Sequence, residues 1–253
     1  MPRPDHSAAR ARTNRGALIA VVLALALAVA TPAQAQVMDN MLHAYVGVEE
    51  LEMRNVGPDR PVFWDVVSWF GGDFNRLWVR SAGSRATTGS DAEISGEVLA
   101  GRLIAPFWDL LVGVRFEART SGAVRATRPS AVIALEGLAP YRFRLEPSMY
   151  VSTDGDVAAE ITASYDVWLT QRLLIQPRAD LHAALQAVPA FDVTSGINDA
   201  GVGLRLRYEV RRELAPYVGV QWNARVGRSG TLHGPATSEP SGATAVFGVR
   251  AWF

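Results

Sequence analysis

The 253-residue chain contains no cysteine and no lysine. The first absence excludes disulfides and thiolate metal sites. The second leaves all 25 basic charges on arginine, against 25 acids, and no basic patch points to nucleic acid. Histidine is scarce too, with four in the chain. Long apolar runs are absent except for one, Gly16 to Ala30. It follows Arg3, Arg10, Arg12 and Arg15 and precedes Thr31-Pro32-Ala33-Gln34-Ala35. A basic flank, a short apolar stretch and an A-x-A site predict an export signal over 1–35, cleaved after Ala35. At 15 residues the run falls short of the roughly 20 that a spanning helix needs.

What the remainder has is period two. From Arg172 to His182 one face reads Arg172, Leu174, Gln176, Arg178, Asp180, His182 and the other Leu173, Ile175, Pro177, Ala179, Leu181. From Gly201, the face Gly203, Arg205, Arg207, Glu209 opposes Val202, Leu204, Leu206, Tyr208. At the C-terminus, Ala245, Phe247, Val249, Ala251 and Phe253 share a face, and Thr244, Gly248 and Arg250 take the other. Such alternation predicts strands. A soluble sandwich alternates as well, but its core needs large interlocking side chains, whereas a lipid-facing surface needs only to be apolar. Here the apolar faces are rich in Ala, Val and Leu, the opposite faces are charged, and the segments are about ten residues or more, as tilted membrane crossings require.

The expected fold is therefore all-β: a transmembrane antiparallel β-barrel of about twelve strands. These run roughly over 42–53, 61–70, 73–82, 92–104, 108–119, 129–138, 141–152, 157–168, 171–186, 199–211, 216–228 and 241–253. One set of connections is tight; the other, at 54–60, 83–91, 120–128, 153–156, 187–198 and 229–240, is longer and polar. That asymmetry is the outer-membrane arrangement, and an even count places both termini on the short-turn, periplasmic side. Residues 36–41 would form a short periplasmic segment and 42–253 the barrel. Trp69, Phe70, Phe107, Trp108, Tyr141, Trp168 and Tyr217 are expected to form an interfacial girdle against outer-membrane lipid. The terminal Trp252-Phe253 resembles the signal read by barrel-assembly machinery.

The alternation directs both signs of charge inward. Asp65, Arg76, Glu97, Asp109, Arg115, Glu136, Arg144, Glu146, Glu160, Arg178, Arg205, Arg207, Glu209 and Arg250 are expected to form an Arg–carboxylate network. Buried charges must be paired or hydrated, so the network either fills the lumen or loosens to pass a small cation. Metal ligands are few. Met38, Met41 and His43 cluster near the first strand, Glu49 lies within it, and His182 shares a face with Asp180. Spacing alone leaves a metal role and a chance arrangement both open. No enzyme is expected: His182 has Asp180 rather than a serine two positions away, and His233, near Ser229 and Ser238, has no evident third group to orient it.

Several stretches, in order, resemble the copper resistance protein B family of outer-membrane proteins. They include His43-Ala44-Tyr45-Val46 with Glu49, Trp69-Phe70-Gly71-Gly72-Asp73-Phe74-Asn75-Arg76-Leu77-Trp78, and Ile104-Ala105-Pro106-Phe107-Trp108-Asp109. Further on come Gly137-Leu138-Ala139-Pro140-Tyr141, Gln176-Pro177-Arg178, Gly203-Leu204-Arg205-Leu206-Arg207-Tyr208-Glu209 and Gly248-Val249-Arg250-Ala251-Trp252-Phe253. The resemblance implies a barrel that binds copper ions or lets them cross the outer membrane, with a periplasmic multicopper oxidase as companion. Many members carry a long Met- and His-rich region before the barrel; here that place holds only Gln36 to His43. The implied copper ligands reduce to Met38, Met41 and His43, or to an interior set of His43, Glu49, Asp180 and His182. The other reading is a passive structural or narrow-channel barrel with no metal role.

Overall fold

The computed structural model describes residues 41–55, 60–191, 193–225 and 242–253. The expected signal over 1–35, Met38 and His233 lie outside them. The strands are β1 (His43–Arg54), β2 (Val62–Gly71), β3 (Asn75–Arg85), β4 (Ala92–Ala105), β5 (Trp108–Ser121), β6 (Val124–Ala139) and β7 (Phe143–Ser152). They continue with β8 (Val157–Ser164), β9 (Val167–Trp168), β10 (Leu173–Ala184), β11 (Gly196–Tyr208), β12 (Leu214–Arg225) and β13 (Gly242–Trp252). Every pairing is antiparallel, consecutive strands pair except β8 and β9, and β13 pairs with β1 to close the ring. Phe253 completes the seam: its N–H donates to Val46 O at 2.8 Å, and its carbonyl accepts from Val46 N at 3.0 Å.

β8 and β9 are one wall stave. Both pair with β10 in a single register, interrupted at Tyr165–Asp166. Pro177 lies opposite; its carbonyl accepts from Tyr165 N at 3.1 Å, but it has no N–H to return. The wall therefore has twelve staves, as the alternation predicted. Pro147 makes a similar gap between β6 and β7, where the ladder skips from Ala134–Ser148 to Gly137–Leu145.

The faces invert the pattern of a soluble domain. Leu204 outside is 52% exposed, whereas Arg205 beside it is 1% exposed inside. Such an interior and exterior suit a lipid solvent, and closure leaves no unpaired edge in it.

Four expectations change in detail. The predicted connection 120–128 is instead a long hairpin, with β5 and β6 paired up to Ser121–Val124. Its two-residue turn starts on Gly122, whose φ of 57° suits glycine. The girdle loses Trp69 and Tyr217, whose strand parity turns them inward; Tyr217 is only 4% exposed. Phe70, Phe107, Tyr141 and Trp168 do stand exposed on the short-turn side. The interior is not wholly charged: Trp78, Leu99, Leu111, Val132 and Ala134 form a buried apolar wedge on β3–β6. Gly101 makes room for it, since a Cβ there would lie 2.6 Å from Trp78 Cδ1 and 2.8 Å from Leu111 Cδ2. Finally, Glu209 falls past the end of β11 and makes no ion pair among the described residues, because alternation stops directing side chains where the strand stops.

Candidate functional site

The lumen is organised around a bulge in β1. The partners on β13 pass from Val48–Ala251 to Leu51–Val249, so Glu49 and Glu50 together face one residue of the neighbouring strand. A regular strand sends adjacent side chains to opposite faces; the extra residue lets both glutamates reach the lumen. It also reverses the parity beyond it, bringing Glu52 and Arg54 inward. Sequence alternation anchored on Glu49 missed Glu50 and Glu52. The signal was in the run Glu49-Glu50-Leu51-Glu52-Met53-Arg54, whose polar positions fit no single period-two phase.

Glu52 is the most enclosed carboxylate of the set, 1% exposed. It accepts from Arg205 Nε and Nη2 at 3.2 Å each, from Arg54 Nε at 2.6 Å and from Tyr217 Oη at 3.0 Å. Glu50 accepts from Arg178 Nη1 at 2.9 Å and lies 3.1 Å from Arg205 Nη2. Arg178 also donates to Asp180 at 2.9 Å and comes within 3.8 Å of Asp65. Glu49 takes a bidentate pair from Arg250, at 2.8 and 2.9 Å, and a hydrogen bond from Tyr45 Oη at 3.2 Å. Arg144 Nη1 approaches it at 3.6 Å.

Across the barrel, Arg80 pairs with Glu136, and Arg115 bridges Glu97 at 3.2 Å, Glu117 at 3.1 Å and Glu160 at 3.7 Å. Arg76 meets Asp109 at 3.0 Å. Bidentate and shared guanidinium contacts of this kind fix side chains in place, and losing one partner leaves the other charge buried and uncompensated. Two members are loosely held. Glu146 has no hydrogen bond or ion pair among the described residues, and there Arg207 has one ion pair, to Asp166 at 4.0 Å, with the Tyr217 ring beneath its guanidinium.

A cavity of about 510 Å³ occupies the long-loop half of the lumen. Glu50, Asp65, Arg80, Glu146 and Arg178 line its deep end, and Arg54, Arg119, Arg128 and Phe191 its outer end. Glu49, Arg144, Arg250 and the apolar wedge lie beyond it, in the short-turn half.

The expected metal ligands separate. Met41, 60% exposed, and His43 lie at the short-turn end, where His43 pairs with Gly71. Asp180 and His182 are in the cavity, His182 nine residues along β10 from Leu173, or about 30 Å of strand. The interior set of His43, Glu49, Asp180 and His182 is therefore not assembled, because strand length holds its members at different depths. Among the described residues, no group of three or more His, Asp or Glu is placed to hold a metal ion. His182 Nδ1 comes within 3.8 Å of Glu160, beside Asp180, which accepts from Thr162 Oγ1 at 3.1 Å.

The family model described as copper resistance protein B precursor matches residues 42–253. The chain belongs to the copper resistance protein B family. It is 34% identical over 215 residues to copper resistance protein B of Escherichia coli, covering 85% of this chain and 71% of that one. A copper resistance protein B homolog of Pseudomonas syringae pv. tomato is 32% identical over 218 residues, covering 86% and 72%. In fold the chain is similar to the NanC porin, with a TM-score of 0.52 at 12% identity, over 83% of this chain and all of that one. Membership implies a role in copper resistance and, with the inverted faces, an outer-membrane location. Family and fold resemble outer-membrane barrel proteins rather than enzymes.

Proposed function

We propose that this copper resistance protein B family member binds copper ions in its long-loop cavity and lets them cross the outer membrane. The observation that supports it is the cavity lining, where nine carboxylates face seven guanidiniums and His182 stands beside Glu160 and Asp180. An excess of carboxylate draws cations, and imidazole with carboxylate suits oxidised copper. Met38, Met41 and His43 offer a second, thioether-containing set suited to reduced copper. In this reading the short turns and both termini face the periplasm. A companion multicopper oxidase would meet the ion there, and the exposed Phe253 side chain is the handle for barrel assembly.

The test is a metal titration of the refolded 36–253 chain, following Cu(II) and Cu(I) separately. His182→Ala is expected to weaken Cu(II) binding by about tenfold, and joint replacement of Met38, Met41 and His43 by alanine to weaken Cu(I) binding. Wild type and both variants binding equally poorly would leave the passive barrel as the reading, which the densely paired network favours.

A further inference from the structure

The wall positions of the bulge's ion pairs show which sides of the lumen they tie together. β1 and β7 are six staves apart in a ring of twelve, so Glu49 and Arg144 project from opposite walls and meet at 3.6 Å across the bore. Glu50 is tied at 2.9 Å to Arg178, four staves from β1. Glu50 and Arg178 line the cavity; Glu49 and Arg144 do not. The two adjacent glutamates thus stand on either side of the cavity floor, one reachable from the long-loop side, the other beyond it. The apolar wedge of Trp78, Leu99, Leu111 and Val132 fills the β3–β6 side of the same short-turn half. The β1 wall, by contrast, carries charge into this half, with Glu49 held by Arg250 and approached by Arg144.

We infer that Glu49 and Glu50 are the gate of a normally closed, cation-selective path, held shut by Arg144 and Arg178 reaching across the lumen. The inference rests on the cation-crossing reading above. A cation entering the cavity competes with Arg178 for Glu50; release of Arg144 then offers it Glu49, the next residue along the chain. The bulge is what makes this two-step exchange possible, because a regular strand would show the lumen one of the two carboxylates and not the other. Arg144 is the weaker latch: its side chain is 40% exposed and its contact is the longer one, while Arg250 keeps Glu49 oriented.

The test is conductance in planar bilayers under a KCl gradient, with the full barrel checked for folding by heat-modified gel mobility. Wild type should pass little current. Arg144→Ala should raise mean conductance severalfold, up to about fivefold, the shift in open population that loss of one partly exposed latch of this kind produces, with a reversal potential favouring K⁺. Arg144→Lys should stay near wild type. Glu49→Gln should also open the path but move the reversal potential toward Cl⁻, because Arg144 and Arg250 lose their countercharge. This opposite sign separates a gate from general loosening. Folded Arg144→Ala at wild-type conductance, or both variants shifting selectivity the same way, would overturn the inference. If Arg144→Ala does not fold, Arg178→Gln supplies the same reading from the Glu50 side. K⁺ and Cl⁻ are the probes, so failed copper titration with an intact gate counts against copper alone. A failed gate with normal copper binding counts against the gate alone.

Discussion

At the residue scale, the cost of a substitution depends on how many partners it strands. Glu52 holds Arg205, Arg54 and Tyr217 in a nearly solvent-free corner. Glu52→Ala leaves Arg205 buried without its principal countercharge, and an expected loss of about 3–5 kcal/mol should appear in denaturant unfolding followed by tryptophan fluorescence. Glu209→Ala, at a position with no ion pair among the described residues, should change stability by less than about 0.5 kcal/mol. Nothing in the local sequence ranks Glu52 above Glu209. Alternation even favoured Glu209, since parity is counted along the chain and cannot see where a strand ends or slips by one.

At the element scale, the β1 bulge is an insertion with a definite address. Removing Glu49 would leave Glu50 alone opposite Arg250 and restore one-to-one pairing with β13. The deletion variant should still fold, with β1 amides protected in hydrogen exchange, while the contact to Arg144 is lost. Loss of protection along the whole of β1 would show that the bulge is integral to the seam. The β5–β6 hairpin departs from the loop its residues suggest for a related reason. Ser121-Gly122-Ala123-Val124-Arg125-Ala126-Thr127-Arg128 contains turn residues and charges that look like a loop, yet Ala126–Arg119 and Arg128–Glu117 keep cross-strand register. The 2.6 Å pair of Arg128 with Glu117 supports that register from the lumen side, a contact no local pattern reveals.

At the scale of the whole molecule, the solvent differs on the two sides of one wall, so equal changes have unequal effects. Leu204→Arg puts a charge on the lipid-facing band and should cost about 2–4 kcal/mol, measured as the free energy of unfolding from lipid vesicles. Asn223→Arg points into the polar cavity and should cost much less, because water and carboxylates can receive it. Equal costs would argue against the assignment of faces.

The stave count, the turn asymmetry and most inward residues of β10 and β11 were legible in the sequence. These are local properties: a side chain's face follows from period two, and an apolar face in an exported chain must find an apolar solvent. The family was legible too, from ordered motifs across the chain. The contacts across the lumen were not. The depth of His182 relative to His43, the joining of Glu49 to Arg144, and the apolar wedge among charged neighbours depend on ring closure. Closure brings together residues some 95 to 200 positions apart, such as Arg144 and Arg250 around Glu49. Strand periodicity says which way a residue faces; only the closed ring decides what it meets there, because each contact is set by the stagger of staves around the barrel and the one-residue bulge that shifts it.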